Sequence, residues 1–199
     1  MKTKQKIVKT ALELFLKKGF YNTSMQDIAI EVGISKPAIY HHFKNKDEMI
    51  KGVLDYFTER MRSWTNDYFS NKKYYKEKME SFFKAVPIFK NVETLLLGKE
   101  DKEIRHSYNE FLLAISKYND TFKFRISKDI LGGIERRAEQ NKDAQSKGII
   151  KENIDCYSLS LMTNAIVEGL SFIYEVIPEE NMEEKIKDIF NLYWDLISK

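Results

Sequence analysis

With 199 residues, 43% of them hydrophobic and 32% charged, the chain can build a core of ordinary domain size under a well-solvated surface. Its single cysteine, Cys156, excludes an intrachain disulfide, and a net charge of +3 is too small by itself to name a partner. The lysine-rich start, Met1 to Lys9, lacks the apolar run of a signal peptide. The longest apolar stretch, Leu159 to Ile177, is broken by Thr163, Asn164, Glu168 and Glu175, which makes a bilayer span costly. A cytoplasmic protein with no membrane segment is expected. The charge is unevenly spread: Met1 to Gly52 carries ten lysines against five acidic residues, net +5, leaving −2 for the remainder. A basic quarter on a slightly acidic body suggests two modules with different partners, although lysines that merely solubilise the first helices would look the same.

Taken in order, Ile7, Val8, Ala11, Leu14 and Phe15 recur at helical spacing and predict a helix from Thr3 to Lys18, ended by Gly19. Ser24 then precedes the apolar-periodic Met25, Ile28, Ala29 and Val32, with Asp27 placed to close a capping box and Gly33 suited to a left-handed stop. Ser35 caps a third helix, read to Lys44, with Pro37 in its first turn, where a missing N–H is harmless. Ile34 and Ile39 stand at the spacing of a hydrophobic staple, which sets the angle between the two helices. This is the pattern of a helix-turn-helix, whose second helix enters the DNA major groove. Ala11, Phe15, Ile28, Ala29, Ile39 and Phe43 are the candidate core, too small to stand alone.

A long helix follows from Asn45 to Ser70, with Asn45 and Glu48 as a second capping box and Gly52 explained by close packing. Further helices are predicted from Tyr74 to Val86, Pro87 to Gly98, Glu103 to Lys117 and Asp120 to Ser146. Gly132-Gly133 implies a bend or a close backbone contact in the last of these. Asp155 caps a helix reaching Val176, and a final helix covers Met182 to Ser198. The chain is therefore read as all-α, with about nine or ten helices. It divides into a helix-turn-helix domain at 1–48 and a larger helical domain at 49–199. The last two helices are apolar around much of their circumference, so each needs cover on two sides. One side is the core; for the other, Leu159, Met162, Ile166, Leu170, Ile173, Ile186, Ile189 and Tyr193 are the candidate interface of a twofold homodimer. A deeply buried monomeric helix pair is the alternative.

The reading helix turns Lys36, Pro37, Tyr40, His41 and Lys44 away from Ile39 and Phe43. Lys36 can donate to guanine, Tyr40 and His41 to phosphates or bases, and Pro37 and Ala38 can touch a thymine methyl. Thr23 and Ser24 offer hydroxyls and free N–H groups to a phosphate. Lys46 is a cation in a helix first turn, where the macrodipole disfavours it; a shared phosphate would give it a use, and an unpaired surface lysine explains it as well. Adjacent His41 and His42 point about 100° apart on a helix and cannot share one metal ion, so no metal or cofactor is expected. Catalytic motifs are lacking too, so a helical-bundle enzyme is the weakest reading and no enzyme is expected.

The run from Thr23 to Ile50, with I-V-K-T-A-L-E-L-F-L-K-K-G-F before it and the Tyr-x-x-Phe-Lys-Asn-Lys ending inside it, resembles the N-terminal domain of the TetR (tetracycline repressor) family over Lys6 to Val53. The stretch K-G-I-I-K-E-N-I-D is similar to that family's turn before its dimer helices. The resemblance implies an all-helical homodimer on a palindromic operator, usually repressing, with a small-molecule pocket in the C-terminal domain. It carries Thr23, Ser35, Lys36, Tyr40, His41 and Lys46 over as backbone or base contacts. The aromatics between Tyr56 and Phe124 suit a hydrophobic or aromatic effector, with Trp64, Tyr68, Phe82, Phe89, Phe111, Tyr118 and Phe122 as candidates. Aromatics at helical spacing also build plain core, and control by a protein partner instead of a small molecule is the rival from another class.

Overall fold

A computed structural model describes residues 3–87, 96–98, 103–104, 106–177 and 181–199, without the side chains of residues 69, 108 and 175. The described residues form nine helices and no strand; one isolated antiparallel bridge joins Ile150 to Ser198. The all-α expectation holds. The helices are α1 (Thr3–Lys18), α2 (Met25–Val32), α3 (Lys36–His42), α4 (Lys46–Phe69), α5 (Tyr75–Lys84), α6 (Tyr108–Tyr118), α7 (Asp120–Ser146), α8 (Cys156–Val176) and α9 (Met182–Ile197). The helix expected from Pro87 to Gly98 lies mostly outside the described residues. The chain forms two compact units: Met1–Asp67 with Val92–Phe124, and Tyr68–Asn91 with Arg125–Lys199.

In the first unit the caps are where the sequence puts them. Ser24 Oγ accepts the Asp27 N–H (3.2 Å), and Asp27 Oδ2 accepts the Ser24 N–H (2.8 Å), closing the box reciprocally. Gly33 sits at φ 80°, a conformation only glycine adopts freely, and its N–H reaches back to the carbonyls of Ala29 and Ile30. Ser35 Oγ accepts from Ala38 N–H, and Pro37 falls inside the first turn of α3. All six candidate core residues are at most 1% exposed. The core is completed by Met49, Ile50, Val53 and Leu54 of α4 and by Phe111 and Ile115 of α6. A Cβ on Gly52 would come within 3.1 Å of Phe43 Cε1 and 3.2 Å of Val8 Cγ2, so close packing is the reason for that glycine.

Three local expectations are corrected. α3 stops at His42: Phe43 is extended, its N–H closing on Ile39 O (2.9 Å), so Lys44 is not on the reading helix. At the start of α4, Asn45 Oδ1 accepts the Glu48 N–H (2.9 Å), but Glu48 Oε2 takes the Lys44 N–H (2.7 Å), one residue earlier than a standard box. α6 begins at Tyr108, not Glu103, because Ser107 and Glu110 form a reciprocal capping box.

The second unit packs α5 against α9. Phe83 meets Phe190 and Tyr193 at ring-centroid distances of 5.4 and 5.1 Å, among Met79, Leu159, Val167 and Ile186. Asp155 caps α8 through the Ser158 N–H (2.7 Å). The turn before α8 is tied to the end of α9 by Lys151 N–H to Ile197 O (2.9 Å) and Lys199 N–H to Ile149 O (3.3 Å). α7 runs unbroken through Gly132-Gly133, where an added Cβ would approach only Arg136 side-chain atoms, so a close backbone contact does not explain that pair. α8 is the one described helix long and apolar enough to cross a membrane. Its Leu159, Ser160, Thr163, Val167 and Leu170 are buried within this unit, as in a core helix.

Candidate nucleic-acid interface

The groups available for a nucleic acid follow from what the fold has already used. On α3, Ile39 is fully buried while Ser35, Lys36, Pro37, Tyr40 and His41 are exposed, and Ala38 is half-buried. The outward row is thus present as expected, with Lys44 and Asn45 exposed in the turn that follows. The rings of His41 and His42 meet edge to face at 5.7 Å. Among the described residues, no three His, Cys, Asp or Glu side chains gather as metal ligands.

The N-terminus of α2 is more committed than the sequence suggests. Thr23 is 1% exposed and its hydroxyl points inward, within hydrogen-bonding distance of the carbonyls of Gly19 (3.0 Å) and Leu14 (3.3 Å). It fixes the α1–α2 turn and does not present its hydroxyl to solvent. The capping box uses both the Ser24 and Asp27 N–H groups, leaving those of Met25 and Gln26 as the helix-end donors without an intrahelical acceptor. The two Ser24 hydrogen bonds, side chain first, hold the Asp27 carboxyl below its usual range.

Lys46 proves to be a structural clamp as well as a cation. Its ammonium donates to Phe20 O (2.7 Å) and Thr23 O (2.8 Å) and lies 4.1 Å from the Phe20 ring centroid. Burial pushes its pKa down. The turn's carbonyls therefore supply the negative potential that the start of α4 cannot, and one of three ammonium N–H groups is left for another acceptor. Lys6 is similarly used, donating to Val32 O (3.1 Å) at the end of α2, and Lys17 pairs with Glu13 and Glu103. Part of the basic quarter is thus internal scaffolding, which a charge count cannot reveal.

Residues 7–53 match the family model described as bacterial regulatory proteins, tetR family. The chain is 28% identical to the uncharacterized HTH-type transcriptional regulator YerO of Bacillus subtilis over 211 aligned positions, covering 94% of this chain and 70% of YerO. Its backbone superposes with a TM-score of 0.79, at 17% identity, on a TetR-family transcriptional regulator from Cytophaga hutchinsonii, covering 98% of this chain and 94% of that one. Residues 7–53 therefore form a DNA-binding domain of the tetR type, and the backbone as a whole shares the fold of TetR-family structures. A shorter match, 35% identical over 60 residues, links the chain to IcaR of Staphylococcus epidermidis, a negative transcriptional regulator of the biofilm operon icaADBC. That match spans 28% of this chain and 32% of IcaR.

The remaining candidates are dispersed. Phe111 is buried and stacks on Phe15 at 5.3 Å; Tyr118 is exposed, packs on Phe20 at 5.2 Å and donates to Asp47 Oδ1 (3.0 Å). With buried Phe122 and half-buried Trp64 they belong to the first unit. Phe111 and Tyr118 dock α6 onto the DNA-binding helices, helped by His106 N–H to Leu16 O (2.9 Å) and the Tyr21 hydroxyl to Ala114 O (3.2 Å). Tyr68, donating to Ser81 O (3.1 Å), and Phe82 belong to the second unit; Phe89 lies outside the described residues. None of the other six lines the grooves of about 410, 430 and 560 Å³ among the described residues.

The interface candidates divide just as sharply. Leu159, Leu170, Ile186 and Tyr193 are buried in the chain's own core and cannot face a partner; Ile166 and Ile189 are half-buried, and Met162 and Ile173 exposed. Among the described residues, the apolar side chains left uncovered include Leu161, Phe172 and Val176 on α8 beside Met162 and Ile173, with Leu192 and Leu196 on α9. Each helix carries two apolar rows, and only packing decides which one turns inward.

Proposed function

We propose that the chain is a cytoplasmic, homodimeric repressor of a palindromic operator, released when a small effector with a hydrophobic or aromatic body binds the part of the chain beyond residue 48. Support for the reading role is the exposed row of Lys36, Pro37, Tyr40 and His41 over a fully buried Ile39. Lys36 reads a base, Tyr40 and His41 bind phosphates or bases, and Pro37 and Ala38 lie against thymine methyls. Ser35, Ser24 and Thr23 act through backbone geometry at two helix starts, while Lys44 and the spare N–H of Lys46 approach phosphates.

Support for the dimer is the uncovered apolar face. Phe172, Val176, Leu192 and Leu196 are 66%, 61%, 64% and 61% exposed, and a second copy would cover them symmetrically. Two copies place two reading helices about 34 Å apart, one helical turn of DNA. IcaR is a negative regulator, and repression is the sign preferred here by likeness to it. Effector release works through α4, continuous from Lys46 to Phe69, since a small tilt changes the reader separation.

Selection of duplexes from a random library tests the reading. The expected product is an inverted repeat with half-sites one turn apart, bound with steep salt dependence. An enriched site without twofold symmetry, or a monomer at micromolar concentration in sedimentation, counts against it.

A further inference from the structure

Among the described residues of the second unit, nearly every buried polar group has a protein partner. Tyr75 donates to Asn141 Oδ1 (2.7 Å), and Asn141 Nδ2 donates to Cys156 O (3.0 Å). The Tyr193 and Thr163 hydroxyls share a bond of 2.8 Å, and Ser160 donates to Ile134 O (2.7 Å). Arg137 is the exception. Its guanidinium carbon stands 3.9 Å from the Phe82 ring centroid, and its Nη1 is buried with no hydrogen-bond acceptor among the described residues. The neighbouring phenols cannot neutralise it, because burial raises the pKa of both Tyr75 and Tyr193 and keeps them protonated. Glu168 acts on it electrostatically without forming an ion pair with it among the described residues. Burial lowers the guanidinium pKa, yet an arginine stays charged. A desolvated cation with an orphaned donor is a feature that folded proteins rarely keep without a use.

The surroundings say what would complete it. A guanidinium edge matches a planar carboxylate, whereas a phosphate dianion calls for more donors than one free nitrogen supplies. The Phe82 face and the Tyr75 and Tyr193 rings make the vicinity apolar and aromatic. One turn earlier on the same face of α7 lies Gly133, where an added Cβ would meet only Arg136 Nη2, at 3.9 Å. Packing thus does not explain this half-exposed mid-helix glycine, and its lack of a side chain leaves the helix surface beside Arg137 open.

We propose that Arg137 is the anion-recognising group of the effector site, and that the effector is an amphipathic carboxylate whose head meets Nη1 and whose apolar body runs past Gly133. This rests on the effector reading above and gives it a chemical class.

The test uses the full-length protein with dodecanoate and naphthoate as probes, each beside its neutral alcohol, with affinities measured by calorimetry below micelle concentrations. At least one acid should bind at least about tenfold more tightly than its alcohol, the scale of one charge-assisted contact. Arg137→Met should abolish that preference while folding as well as the wild type, since it removes an unpaired buried cation. Gly133→Leu should weaken acid and alcohol together. Acids that bind no better than alcohols, or not at all, overturn the proposal, as does an Arg137→Met variant that keeps the preference. Should Arg137→Met fail to fold, the wild-type comparison and Gly133→Leu decide. Gel shifts separate the two levels. Arg137-dependent binding that leaves operator affinity unchanged keeps the carboxylate site and removes the release mechanism. Release by alcohols as readily as by acids does the reverse.

Discussion

Lys46 offers the sharpest test, because two jobs predict different failures. Lys46→Met keeps the aliphatic stem and deletes the ammonium. The structure shows two charge-assisted bonds, at 2.7 and 2.8 Å, and a ring contact at 4.1 Å. Bonds of this kind contribute about 1.5–3 kcal/mol each, part of which the desolvated ammonium gives back, so the net loss should be about 2–4 kcal/mol. Urea unfolding of the variant should show a correspondingly lower midpoint at unchanged slope. If Lys46 acted chiefly on phosphate, the dependence of log affinity on log salt would flatten by about 0.9 per contact, or about 1.8 per dimer. A variant that unfolds at the wild-type urea concentration would refute the clamp. With the clamp dominant, the salt slope of the folded variant changes by less than one contact's worth.

Lys36→Ala should weaken operator binding by about 1–3 kcal/mol and relax preference at one base pair, read by competition gel shift against single-base variants. Gly52→Ala should destabilise despite alanine's advantage of about 1 kcal/mol in a helix, because its methyl meets Phe43 and Val8; a raised melting temperature would contradict the packing. Phe172→Glu should turn the proposed dimer into a folded monomer in sedimentation, whereas Leu159→Ala should lower the melting temperature by the route of a core cavity. Since the Asp27 carboxyl titrates lower folded than unfolded, its contribution is present above the ordinary value of 3.8 and lost as pH falls through the folded value. Asp27→Asn should therefore lower stability at neutral pH and blunt the acid sensitivity of thermal melts.

Local features were legible because their physics is local. A capping box needs two residues three apart, and a left-handed stop needs glycine, so Ser24-Asp27 and Gly33 could be placed without knowing any neighbour. The six-residue core of the DNA-binding unit followed from helical spacing alone. At helix ends spacing alone is a residue out: it places Phe43 inside α3, where Phe43 caps the helix, and pairs Glu48 with Asn45, where Glu48 takes the Lys44 N–H.

What the sequence determined by itself, then, was the class of protein and the outward row of its reading helix. Those depend on periodicity and on side chains that touch little else. Tertiary structure decided everything that required choosing between equivalent faces or finding a distant partner. Periodicity marks two apolar rows on α8 alike, and burial took Leu159 and Leu170 for the core beside Thr163 and Val167 while leaving Met162 and Ile173 of the same row exposed. Composition counts Lys46 as surface charge, but the carbonyls of Phe20 and Thr23, more than twenty residues away, draw it inward. Arg136 and Arg137 are adjacent and chemically identical in the sequence. Only the fold exposes the first and strands the second, on an aromatic ring, with a buried donor still open.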